Sequence, residues 1–256
     1  MNFSFGILTS KLSDEYLDEV IDSIYLQKIP NFEVVLIGET NKNYKNKNIK
    51  QINFDESKKE GWITKKKNII TNESRYSNIV YMHDYLKLDA SWYEGYMAHG
   101  EDFKVCTNKI LTNNNQRYRD WTFWQLNNTK FDEYFIKTRG CLMPYHIKNL
   151  SKYMYISGAY WVAKKDFMTK NKLNEQLLWG EGEDVEWSKR VRKKIEFDFN
   201  ELSTVKLLKE KEVIFKEIDD EKLKEIIDYD RNILKKILDK SKIYTTKILR
   251  KTVFDT

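Results

Sequence analysis

The chain has 256 residues, 41% of them hydrophobic and 14% aromatic, enough apolar surface for one sizeable α/β core. The 33% of charged residues therefore does not signal intrinsic disorder, which pairs high charge with few aromatics. A formal net charge of +6 suits an anionic ligand or surface and carries no information on the fold.

The first hundred residues alternate strand and helix signals. Phe3–Leu8 is a short apolar run ending in Thr9 and Ser10. Leu17, Val20, Ile21 and Ile24 follow at helical spacing, with Ser13, Asp14 and Glu15 at the start. Phe32–Ile37 is a near-continuous β-branched run, the pattern of a strand buried on both faces. Ile49–Phe54 is a weaker strand, residues 62–73 a basic helix, and Ile79–Met82 a further strand. Such alternation predicts a parallel sheet with right-handed crossovers. Ligands of these sheets bind beyond the carboxyl ends of the strands. Here those ends carry Thr9, Ser10, Gly38, Glu39, His83, Asp84 and Tyr85.

Residues 90–160 are less periodic and rich in aromatics: Arg117–Trp124, Leu142–Tyr145 and Tyr155–Lys165. After Trp179–Ser188 the pattern is helical to about Lys194, then apolar over Glu196–Leu202. Cys106 and Cys141 stand in neither a CxxC pair nor a zinc-finger spacing, so a reduced, cytoplasmic setting is expected. Neither a signal peptide nor a membrane span is expected from the apolar runs.

Five stretches can carry chemistry. In Tyr81–Tyr85 the Asp84 carboxylate, with His83 beside it, suits a Mg²⁺ or Mn²⁺ ion on a diphosphate, or else caps a turn. In Gly61–Asn68 three consecutive lysines face a phosphate or form a solvated helix face. In the stretch WGEGEDVEWSKRV, Glu181, Glu183, Asp184 and Glu186 crowd together, and Gly180 and Gly182 permit a tight turn. Asp184 then sits at the mouth of a helix, as a general base or as an N-cap. Among the aromatics, Trp121, Trp124 and Trp161 either stack on sugars or pack a core. Arg119 and Asp120 bond hydroxyls or pair with each other. Finally, Ile233, Ile237, Tyr244 and Ile248, flanked by Leu234, Leu238 and Leu249, mark an apolar stripe. Arg231–Lys251 holds eight Lys/Arg and one Asp, fitting peripheral contact with an anionic bilayer or a helix docked on the main domain. No helix-turn-helix, zinc-finger or RNP-like motif supports nucleic-acid binding.

Taken together, the segments over residues 3–195 resemble GT-A glycosyltransferases, closest to the inverting family 2 group. The resemblance implies a GT-A (Rossmann-like) α/β fold, a mixed and mostly parallel sheet flanked by helices, over residues 1–205. Residues 206–256 would form a basic amphipathic C-terminal helical extension. It implies a nucleotide-sugar donor bound by Thr9, Ser10, Glu39, Lys67, Asn68, His83 and Asp84, with Mn²⁺ or Mg²⁺ held by Asp84 and His83. Lys67 and Asn68 match the Arg-Asn of the family's Gly-x-x-x-Ala-Arg-Asn helix. Asp184 matches the family's catalytic base, with Glu183 beside it. Trp121, Gly158, Ala159, Trp179 and Gly180 would line the pocket for a glycan or lipid-linked glycan acceptor. The departures are a single carboxylate where the family carries Asp-x-Asp and a lysine where it carries arginine, which loses the bidentate fork. A retaining transferase, or a non-catalytic sugar-nucleotide or glycan binder on the same fold, are the competing readings.

Overall fold

A computed structural model describes residues 1–10, 14–57, 59–124, 140–148 and 150–232. The apolar stripe from Ile233 to Leu249 lies outside the described residues. The first elements follow the sequence reading: β1 (Phe3–Leu8), α1 (Leu17–Tyr25), β2 (Phe32–Ile37), β3 (Ile49–Ile52), α2 (Ile63–Glu73) and β4 (Asn78–His83). Then come β5 (Leu86–Leu88), α3 (Trp92–His99), β6 (Val105–Leu111), β7 (Thr122–Trp124), β8 (Gly140–Leu142) and β9 (Met154–Tyr155). The described chain ends with β10 (Tyr160–Lys164), α4 (Lys165–Lys170), α5 (Glu183–Val191), β11 (Asp198–Leu207) and α6 (Asp220–Arg231).

Eight strands form one sheet in the order β3-β2-β1-β4-β10-β6-β11-β5. The first four are parallel. β10 inserts antiparallel between β4 and β6, β11 runs parallel to β6, and β5 closes the edge antiparallel to β11. The sheet is therefore mixed, as the GT-A resemblance implied, and the parallel pairing predicted by the early alternation makes up its first half. β7 sits between β8 and β9 in a small antiparallel sheet.

Period-two alternation sends the strand side chains to two cores. Phe3, Phe5, Ile7, Val34, Leu36, Val80 and Met82 pack with Leu17, Val20 and Ile24 of α1 and Trp92 and Tyr96 of α3. Val35, Ile37, Ile79, Tyr81, Trp161 and Ala163 pack on the other face with Ile70 of α2 and Trp187 and Val191 of α5. Every residue of β1 and β2 is buried, which explains their near-continuous apolar runs; the exceptions, Ser4 and Glu33, bond each other at 2.6 Å. At roughly 1.5–3 kcal/mol for each large apolar side chain buried, a slipped register would be costly. Gly6 lets α2 press onto β1, since a Cβ there would lie 2.2 Å from Ile70 Cγ2.

The main core continues past residue 205. β11 runs to Leu207, and Ile218 with Leu223 and Ile226 of α6 is buried in the cluster that holds Trp161 and Trp187. Both cysteines are free and buried. Among the described residues no helix is long and apolar enough to cross a membrane.

Candidate functional site

The carboxyl ends of β1, β2 and β4 are tied together at one edge. Thr9 N donates to Ile37 O (3.0 Å), Asp84 N to Leu8 O (3.1 Å) and His83 N to Ala159 O (3.1 Å). Thr9, His83, Asp84, Gly158 and Ala159 are thus brought together, with Ser10, Gly38 and Glu39 on the same edge. Gly38 has φ 137°, and a Cβ there would lie 1.9 Å from Thr9 O, so only glycine permits this crossing of the two strand ends. The Thr9 Oγ1 is buried with no hydrogen-bond partner among the described residues.

The three lysines of α2 do not form a solvated face. Lys65 pairs with Glu175 (2.8 Å). Lys66 is buried, pairs with Glu56 and donates to Thr9 O at 2.9 Å. Lys67 is fully buried, donates to Gly158 O at 2.8 Å and lies 4.4 Å from the Trp161 ring centroid. Asn68 turns away from the strand ends. Its Nδ2 donates to Leu173 O (3.0 Å) and Glu175 Oε1 (2.9 Å), and its Oδ1 accepts from Leu173 N (3.0 Å). Trp62 Nε1 to Glu175 O (2.7 Å) and Thr64 Oγ1 to Leu177 O (2.8 Å) complete the attachment. One end of α2 thereby carries the loop that leads into the acidic cluster.

In that cluster Gly180 (φ 83°) and Gly182 (φ 74°) take left-handed backbone conformations, and Gly182 starts α5. Asp184 Oδ2 accepts from Gly158 N and its Oδ1 from Val185 N, both at 2.8 Å. These two donors orient the carboxylate and leave lone pairs for a third. Glu183 is 5% exposed; burial and the neighbouring Asp184 raise its pKa against the pull of Lys67. A Cβ on Gly158 would lie 3.1 Å from Glu183 Oε1 and 3.2 Å from Asp184 Oδ2, so glycine gives both carboxylates their approach to the strand end. Burial pushes Lys67 down to about 8, although Glu183 and Asp184 favour its charged form. His83 stacks on Tyr85 at 5.3 Å. Burial, with Lys67, Lys66 and Lys211 nearby, pushes its imidazole down to about 3, so the ring is neutral near pH 7, the form that ligates metals.

The aromatic residues separate into two groups. Trp179 is 66% exposed beside Gly180, and its N donates to Gly61 O at 2.9 Å. Trp121 is instead 1% exposed in the core, with Nε1 bonded to Ile147 O at 2.8 Å and its ring 5.1 Å from Phe199. Trp161 is also core, stacked between Tyr81 (4.8 Å) and Trp187 (5.8 Å). Trp124 meets the ring of Tyr155 edge-on at 5.1 Å. The ion pair of this region is Arg117–Asp120 at 2.9 Å, not Arg119 with Asp120. Glu175, which receives Lys65 and Asn68, lies in no motif and gave no sequence signal.

Asp84 is 1% exposed and, with His83, belongs to no three-residue ligand group among the described residues. The group of three found there is His99, Cys106 and Asp198, with ligand atoms within 4.8 Å of one another. It lies at the amino ends of β6 and β11, across the sheet from His83. One carboxylate and a neutral imidazole fit a Mg²⁺ or Mn²⁺ ion that takes its remaining ligands from substrate phosphates and water.

This arrangement is the GT-A fold. The sequence matches no protein-family model and no curated protein, but solved structures share its architecture. GalNAc-T7, crystallised with UDP, GalNAc and Mn²⁺, superposes with a TM-score of 0.55 at 15% identity over 82% of this chain and 44% of that one. S. aureus TarS gives 0.53 at 16% identity over 81% of this chain and 36% of that one. TarS residues 1–349 in complex with UDP-GlcNAc gives 0.53 at 15% identity over 83% and 60%. The chain thus spans between 36% and 60% of the length of these proteins.

Proposed function

We propose that the chain is a nucleotide-sugar glycosyltransferase that inverts the anomeric centre, with Asp184 as general base. The observation that carries this reading is the convergence of Asp184, Lys67 and His83 on Gly158 and Ala159, at the edge where β1 and β4 end. The solved structures of this fold that contain UDP or UDP-GlcNAc support a nucleotide-sugar donor.

The nucleoside lies across Thr9, Ser10 and Glu39. The Thr9 Oγ1, buried and without a hydrogen-bond partner among the described residues, lies at the strand end assigned here to the base or ribose. Asp84, with His83, holds Mg²⁺ or Mn²⁺, which when bound offsets charge on the departing nucleoside diphosphate. Asp184 takes the proton of an acceptor hydroxyl as that oxygen attacks the anomeric carbon from the face opposite the leaving group. Glu183 and Lys67 set the charge around Asp184. Trp179 and Gly180 receive a glycan or lipid-linked glycan acceptor, the exposed indole covering the apolar face of a sugar ring. Asn68 acts by holding the loop that carries Trp179, and Trp121 by packing.

Asp184→Asn tests the base, because the amide oxygen can still accept from Gly158 N. Turnover with a nucleotide-sugar donor should fall roughly 10²–10⁴-fold; near-wild-type turnover excludes the assignment. A second reading, donor binding without turnover, draws on the single carboxylate at the metal site. It is distinguished by a donor-induced rise in melting temperature with no product from any acceptor.

A further inference from the structure

We propose that Arg119 and Lys211 form a two-cation site for the diphosphate of the donor, with Lys211 over the ring of Tyr85 and Arg119 over that of Phe215. The proposal rests on the nucleotide-sugar reading given above and assigns that site two residues from outside its motifs.

Arg119 has φ 45°, a left-handed conformation that costs a residue with a Cβ about 1 kcal/mol or more and that must be held by its surroundings. Its Nε is buried and has no hydrogen-bond partner among the described residues. Its neighbour Asp120 is not its counterion: both Asp120 oxygens are taken, by Arg117 and by Tyr145 OH. The guanidinium instead lies 5.0 Å from the Phe215 ring and 5.6 Å from that of Tyr118. Phe215 in turn meets Tyr155 edge-on at 6.4 Å.

Lys211 arrives from the segment after β11. Leu208 N donates to Tyr85 O at 2.8 Å, and the Lys211 ammonium lies 5.1 Å from the Tyr85 ring centroid. That ring is stacked on His83, so Lys211 borders the edge where Asp84 lies. Neither Arg119 nor Lys211 forms a salt bridge among the described residues.

The electrostatics agree with this geometry. Burial raises the Tyr155 phenol pKa, and nearby Arg119 pulls it back down. Burial, Lys209 and Arg119 lower the Lys211 pKa, as expected of cations close together with no salt-bridge partner among the described residues. A diphosphate supplies an anion. It offers acceptors to the planar guanidinium fork and to the ammonium point charge, and two cations supplement the single carboxylate–metal contact.

The test is calorimetric titration of the full chain with inorganic pyrophosphate, in a metal chelator and again with Mn²⁺. The wild type should bind in chelator. Arg119→Gln and Lys211→Met should each weaken binding about tenfold or more, while Lys209→Met, at an exposed neighbour, changes it less than about twofold. Arg119→Lys, which keeps the charge and loses the fork, should fall between. Melting curves and near-UV circular dichroism establish that each variant is folded. No pyrophosphate binding by the wild type in chelator overturns the proposal, as does wild-type affinity in both folded variants. Pyrophosphate binding requires no transfer. Failure of the glycosyltransferase reading would appear as absent turnover with the pyrophosphate losses intact, whereas failure of the cation site would leave turnover and donor KM unchanged in both variants.

Discussion

Lys67 and Asp184 hold the same residue from its two sides: the lysine ammonium donates to Gly158 O and the aspartate accepts from Gly158 N, each at 2.8 Å. A cation from α2 and an anion from α5 therefore fix one glycine just before β10. The peptide segment from Gly158 to Ala159, whose carbonyl also receives His83 N, is held from three directions.

A pH dependence follows from the lysine. Its pKa is pushed down to about 8, so raising the pH through 8 removes the charge that faces Glu183 and Asp184 and weakens the bond to Gly158 O. Turnover should fall above about pH 8. Lys67→Arg, which stays protonated, should move that fall to higher pH. An unchanged alkaline limb in a folded Arg variant assigns the limb to another group.

Glu183 carries a stability signature. Its native pKa is raised above the ordinary 4.5 by burial and by Asp184, so the native state binds the proton more tightly than the unfolded chain. Its contribution is present in full below about pH 4.5 and is lost as pH rises through the native pKa. Glu183→Gln should therefore be more stable than the wild type at pH 7 and about equal to it near pH 4. Urea melts at the two pH values measure this, and an equal offset at both would contradict it.

Gly38→Ala places a methyl group against the Thr9 carbonyl at a backbone angle that disfavours any side chain. A loss of at least ~3 kcal/mol is expected, read as a lower urea midpoint with unchanged slope.

Trp179 and Asn68 should separate binding from scaffolding. Trp179→Ala removes an exposed ring and should leave stability within about 0.5 kcal/mol while raising acceptor KM several-fold. Asn68→Ala strands the Leu173 N–H and carbonyl and should cost roughly 2–3 kcal/mol, with faster amide exchange over 173–177. If Trp179→Ala is the more destabilising of the two, the roles are reversed.

The first half of the sheet was legible because β1, β2 and β4 are buried on both faces and read as apolar runs, while α1 has a one-sided stripe. The antiparallel direction of β10, within the aromatic stretch Tyr155–Lys165, was not readable, since direction depends on where the preceding chain returns. β7, β8 and β9 are two or three residues long, too short for periodicity to register. In the site, the glycine frame and the acidic cluster were readable as local sequence. The separate destinations of Lys65, Lys66 and Lys67 were not, because each is set by a distant partner. Trp121 and Trp179 look alike in sequence, and only packing distinguishes the core ring from the exposed one.

The attachment of the 173–177 loop to α2 also bears on when the site can form. Its hydrogen bonds join residues 105 to 113 positions apart in the chain. Closing loops of that length is entropically slow. During synthesis, strands β1 to β4 can pair before the acidic segment has left the ribosome, so Asp184 joins a strand edge already in place. Binding competence is then a late acquisition of the folding chain. An intermediate with a formed parallel half-sheet and no affinity for donor is the species to seek in refolding experiments.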